Sequence, residues 1–82
     1  MVIIKAAMMF KNGEVVEGYN YSLIATMAHK LSLNGEHLNG FITSRGEFVP
    51  PSEAAGIALT AGQISDSLKE LSPEDLWPEY LD

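Results

Sequence analysis

Two extended runs, Val2 to Phe10, apolar but for Lys5, and Glu14 to Glu17, predict a pair of strands over residues 2–17. In the first run, Val2, Ile4, Ala6 and Met8 share one face and Ile3, Ala7 and Met9 the other, so both faces are expected to be partly covered. Lys11-Asn12-Gly13 separates this run from Glu14 to Glu17. Asn-Gly predicts a type I′ hairpin turn, because both residues tolerate the positive φ that such a turn requires. The spacing then changes to that of a helix. Leu23, Ile24, Met27 and Leu31 fall on one stripe of a helix over 21–33, with Asn20 or Ser22 as its cap and Asn34-Gly35 as its stop.

A second hairpin follows at 40–49: Phe41-Ile42-Thr43, a turn through Ser44-Arg45-Gly46, then Glu47-Phe48-Val49. Pro50-Pro51 ends it, and Ser52 is expected to cap a helix over about 52–61. Ala54, Ala55, Ile57, Ala58 and Ala61 make that helix small-sided, suited to lying close on a sheet. The order is ββαββα, an α+β fold with helices packed on one face of an antiparallel sheet. Residues 1–65 form the compact domain in this reading, and 66–82 a short acidic helical tail packed on or beside it. Within the tail, Leu68 and Leu71 fit a helical turn. Ser72-Pro73-Glu74-Asp75 is a second helix start, leading into Leu76, Trp77, Tyr80 and Leu81.

Composition narrows the class. The chain has 82 residues, 46% hydrophobic and 20% charged, with no cysteine. It is large enough for one modest core but has neither a disulfide nor a Cys-based zinc site, which leaves oligomerisation as the remaining staple. No signal-peptide pattern and no run of about 20 apolar residues is present, so a cytoplasmic location in a host cell, with no membrane partner, is the expectation.

Charge separates the chain into two parts. The net charge is −6, of which residues 64–82 carry −5 through Asp66, Glu70, Glu74, Asp75, Glu79 and Asp82 against Lys69. The four other bases are scattered, which argues against direct nucleic-acid binding. An acidic segment suits a basic surface on a partner protein instead. Trp77 and Tyr80 stand among these acids as candidate contact anchors, although Trp77 equally fits the role of capping a small core.

Candidate chemistry is sparse. His29, Glu36 and His37 match no standard metal spacing, no serine sits in a Gly-x-Ser-x-Gly elbow, and no Gly-rich phosphate loop occurs. The expectation is a protein that is not an enzyme and needs no cofactor. A competing reading makes it a small-molecule binder that sequesters a nucleotide signal, with His29, Lys30 and Arg45 converging on the ligand, across a subunit interface if need be.

Gly40-Phe41-Ile42-Thr43-Ser44-Arg45-Gly46-Glu47-Phe48-Val49, then Glu53-Ala54-Ala55-Gly56-Ile57-Ala58 and Ala61-Gly62-Gln63, resembles a group of small bacteriophage and prophage proteins. Lys5-Ala6-Ala7, Gly18 and Pro73-Glu74-Asp75-Leu76-Trp77 extend the resemblance over about residues 4–77. It implies a phage context. Members of that group carry His where this chain has Tyr21, and Arg where it has Pro51. Those side chains would suit a ligand between the helix starts, and their replacement here favours a protein partner. Resemblance and charge together predict an accessory protein that inhibits a host defence protein handling nucleic acid, in the manner of an anti-CRISPR. Asp66, Glu70, Glu74, Asp75, Trp77, Glu79 and Tyr80 form its partner-binding surface.

Overall fold

The computed structural model describes residues 1–33 and 35–80. Strands β1 (Ile3–Phe10), β2 (Val15–Gly18), β3 (His37–Thr43) and β4 (Phe48–Val49) form one antiparallel sheet in the order β2-β1-β3-β4. Helices α1 (Tyr21–Lys30) and α2 (Pro51–Thr60) pack on one face of it, and a short α3 (Pro73–Leu76) with a 3-10 turn (Pro78–Tyr80) completes the chain. The fold is α+β, as the periodicities predict. Among the described residues no helix is long and apolar enough to cross a membrane.

The core lies between sheet and helices. Phe41, Ile3, Met8 and Phe10 from the sheet meet Ile24 and Ala28 of α1, and Ala54, Ala55 and Ala58 of α2. The face assignment in β1 differs from simple alternation. A β-bulge between Ile3 and Lys5 inserts one residue, so Ile3 turns inward with Ala6, Met8 and Phe10 while Ile4 stays exposed. Gln63 secures this irregularity. Beyond the end of β2, Ile3 lacks a strand neighbour on that side. The Ile3 N–H donates to Gln63 Oε1 and Gln63 Nε2 donates to the Ile3 carbonyl, both at 2.8 Å.

Other expectations are corrected by local geometry. The first hairpin does not use a type I′ turn. Gly13 has a positive φ but Asn12 does not, and the Gly13 N–H closes on the Phe10 carbonyl while the Phe10 N–H meets Glu14. The β3–β4 loop repeats that scheme at Thr43, Gly46 and Glu47. Helix α2 begins at Pro51, one residue earlier than expected, with Pro50 at the cap position and no side-chain cap bond. Ser52 lies inside its first turn. No helical turn forms around Leu68, which is exposed, whereas Leu71 is buried.

Helix α1 also departs from its apolar stripe. Ile24 and Ala28 face the sheet, and Leu23, Met27 and Leu31 remain on the outer side at 48%, 48% and 63% exposure. Asn20 caps its start, its Oδ1 accepting from the Leu23 N–H at 2.7 Å. Its end comes before the expected Asn34-Gly35 stop, of which Asn34 lies outside the described residues. The Ser32 N–H reaches the His29 carbonyl and the Leu33 N–H the Ala28 carbonyl, a paired closure that places Ser32 in the left-handed region at φ 60. Helix α2 ends by the same pair of bonds with Gly62 at φ 75. A side chain in that conformation is strained where glycine is not. Replacing Ser32→Gly should therefore raise stability by about 0.5–1 kcal/mol, after allowance for the greater freedom of glycine in the unfolded chain. Urea denaturation checks this, and a lowered midpoint would contradict the assignment.

Candidate functional site

Residues 63–80 run back over the helix side of the molecule. From the Gln63 clamp the chain passes to the start of α2, where the Leu71 N–H donates to the Pro51 carbonyl at 3.0 Å and the Leu71 side chain enters the core at 2% exposure. It then crosses to the start of α1. Ser72 opens α3, and its N–H donates to Asp75 Oδ2 at 2.8 Å, so the Ser-Pro-Glu-Asp start signal operates as the sequence predicts. Leu76 and Trp77 pack against the core. Tyr19 lies edge-on to Trp77 with ring centroids 5.3 Å apart and stacks on Tyr80 at 4.8 Å, while Lys5 Nζ sits 5.8 Å from the Tyr19 ring centroid. Asn20 ties the end down by donating from Nδ2 to the Tyr80 carbonyl.

This route decides what each predicted side chain does. Asp66, Glu70, Glu74, Asp75 and Glu79 are all exposed, and Tyr80 is 43% exposed. Trp77 is half-buried against Tyr19 and the core. Near the end of α2, Asp66 and Asp75 line an open cleft of about 450 Å³ together with Ser65, Leu68 and Gly62. The carbonyl end of α2 has no basic residue in its last turn and adds partial negative charge there. The cleft suits a cationic side chain.

Glu70 and Glu74 have a second neighbour. Tyr21, the first residue of α1, donates its hydroxyl proton to the Gly40 carbonyl at 3.1 Å. Burial, then the negative charges of Glu74 and Glu70, push its pKa up to about 12. Helix α1 carries no acid in its own first turn, so these two glutamates supply the negative charge that its N-terminal end favours. Tyr21 and Pro51 are the first residues of the two helices; the tail bonds the Pro51 carbonyl through the Leu71 N–H, and its Glu74 and Glu70 act on Tyr21 by charge.

The residues of the ligand reading do not meet within one chain. His29, near the end of α1, shares a small cavity with His37 and Phe10. Lys30 ends the same helix, whereas Arg45 lies in the β3–β4 loop, beyond the far end of the seven-residue β3. That strand sets the two groups about 20 Å apart.

The matching family model covers residues 2–77 and describes the phage T4 y16D protein. The chain belongs to that family. No curated protein and no solved structure matches it. The family match thus spans the sheet, both helices and the tail as far as Trp77.

Sequence reasoning missed Tyr19, weighed Tyr21 only as a lost ligand position and Gln63 only as part of a family pattern, and saw in Asn20 only a cap. Leu71 offered a signal for the tail path, as a large apolar residue between charged stretches. Two predictions follow from this geometry. Because the folded Tyr21 pKa lies near 12 against an ordinary 10.0, unfolding releases a proton between those values, so stability declines as pH rises from about 10 towards 12. Tyr21→Phe should flatten that decline in denaturant titrations at about pH 9 and about pH 11, while losing about 1 kcal/mol at neutral pH from the missing hydroxyl bond. An unchanged slope would remove Tyr21 as its source. Asn20→Asp keeps the helix cap but cannot donate to Tyr80, whereas Asn20→Ala loses both contacts. Both variants should shift Trp77 fluorescence to the red, and Asn20→Ala should be the less stable by about 1 kcal/mol. Unaltered emission in Asn20→Asp would mean that the Tyr80 tie does not hold the tail.

Proposed function

We propose that this phage-family protein acts by binding a host defence protein that handles nucleic acid, inhibiting it in the manner of an anti-CRISPR. The supporting observation is the acidic surface of the tail. Asp66 and Asp75 line a cleft at the carbonyl end of α2, and Glu70, Glu74 and Glu79 continue the same charge outward. Carboxylates on a packed support imitate a row of phosphates, and a channel that neutralises phosphates with Lys and Arg accepts them for the same reason. An arginine or lysine of the partner enters the Asp66–Asp75 cleft, and the exposed Tyr80 contributes apolar contact beside the start of α1. Trp77 holds the surface in shape. A nucleotide-sequestering reading needs His29, Lys30 and Arg45 in one place, and only a second chain would bring them together.

The test uses the full chain, tagged, in a host lysate at low and high salt. One stoichiometric partner should be retained at low salt and released at high salt, because exposed charge pairs are screened. In the purified pair, the phage protein should displace nucleic acid from its partner. The triple change Glu70→Lys, Glu74→Lys and Glu79→Lys should weaken that binding by about 100-fold while circular dichroism stays unchanged. A partner held equally well by the triple variant would refute the acidic-surface mechanism.

A further inference from the structure

The face of the sheet turned away from the helices has a composition unlike the rest of the surface. The register sets Met9 beside Val15 and Leu38, Ala7 beside Glu17 and Gly40, and Ile42 beside Lys5 and Phe48, so these side chains share that face. Ala7 and Ile42 are buried there without joining the main core. Gly40 has to be glycine: a Cβ at this position would lie 2.5 Å from the Phe48 ring and 2.5 Å from the Val49 carbonyl oxygen. Phe48 thus lies flat across the sheet. Leu38, at 65%, is the most exposed large apolar side chain among the described residues. A groove of about 840 Å³ continues the face past Met9 and Leu38 to Phe10 and His37.

The charges on this face select the occupant. Its central charged residues are Lys5 and Glu17, one of each sign on neighbouring strands, and Lys11 and Glu36 at the groove repeat the balance. The face is neutral on a chain of net charge −6. Two copies can therefore meet here without the repulsion that their tails would impose. A two-fold axis lying in the face between Lys5 and Glu17 sets each Lys5 against the other copy's Glu17, with Leu38 and Phe48 closing the apolar centre. The exposed stripe on α1 lacks this complementarity, since its charged neighbour Lys30 has no acid beside it on that helix.

We infer that the protein forms a two-fold dimer through the open face of its sheet, which borders the tail only at Lys5, 5.8 Å from the Tyr19 ring that stacks on Tyr80. The four strands hold 8, 4, 7 and 2 residues, which at about 3.3 Å per residue and about 4.8 Å between strands give a footprint on the order of 330 Å² per copy. That is small for a permanent pair, so the dimer is a reversible one. Sedimentation equilibrium on the full chain tests it, up to about 0.5 mM. The wild type should show a concentration-dependent monomer–dimer equilibrium, and Leu38→Glu should weaken it by about 10-fold or more. Lys5→Glu alone and Glu17→Lys alone should each weaken it, and the two together should restore it. Met27→Glu, on the α1 stripe, should leave it unchanged. A wild type that stays monomeric throughout overturns the inference. So does a dimer that Met27→Glu dissociates while Leu38→Glu does not, and so does a double charge exchange that fails to restore association.

Discussion

The burial of Leu71 is the constraint on which the remaining structure turns. The two helices bring little apolar bulk to the sheet, because α2 faces it with Ala54, Ala55 and Ala58 and α1 with Ile24 and Ala28. Alanine lets a helix lie close but leaves Phe41 and its neighbours short of contacts. Leu71 enters this core from the tail, and Ile64, Leu76 and Trp77 pack against the same core. Burying a leucine is worth about 2 kcal/mol, a large share of the net stability of a small domain. Once Leu71 is seated, Glu70 and Glu74 must fall near Tyr21. The position of the acidic surface is a consequence of packing.

The same path divides the molecule electrically. Acids collect where the tail crosses the helix side, and the opposite face of the sheet balances Lys5 against Glu17. An approaching basic protein is steered toward the tail by the long-range field, and a second acidic chain is steered away from it. On the proposed reading, the partner and a second copy would use different surfaces.

How much of this was legible in the sequence depends on the range of the interactions. Local signals read well: the Ser72-Pro73 helix start, the Asn20 cap and the two loops centred on Asn12-Gly13 and Arg45-Gly46 each rest on contacts within a few residues. The bulge in β1 did not, because period two alone places Ile4 inside and Ile3 outside. Only the Gln63 side chain, sixty residues away, accounts for the reverse. The apolar stripe of α1 misled in a similar way, since Leu23 and Met27 obey helical spacing yet point outward. Of the tail, the sequence showed its charge and its aromatics. It could not show that Tyr19 and Asn20 would receive Trp77 and Tyr80, because that pairing exists only after Leu71 has fixed the return of the chain.

The brevity of β4 has a consequence for the fate of the protein when it is abundant. With two residues, followed directly by Pro50-Pro51, that edge gives an incoming strand almost no ladder to extend. The other edge, β2, is four residues long and carries the charge of Glu17. Sideways accretion, the route by which exposed sheets grow into fibres, is blocked at both margins.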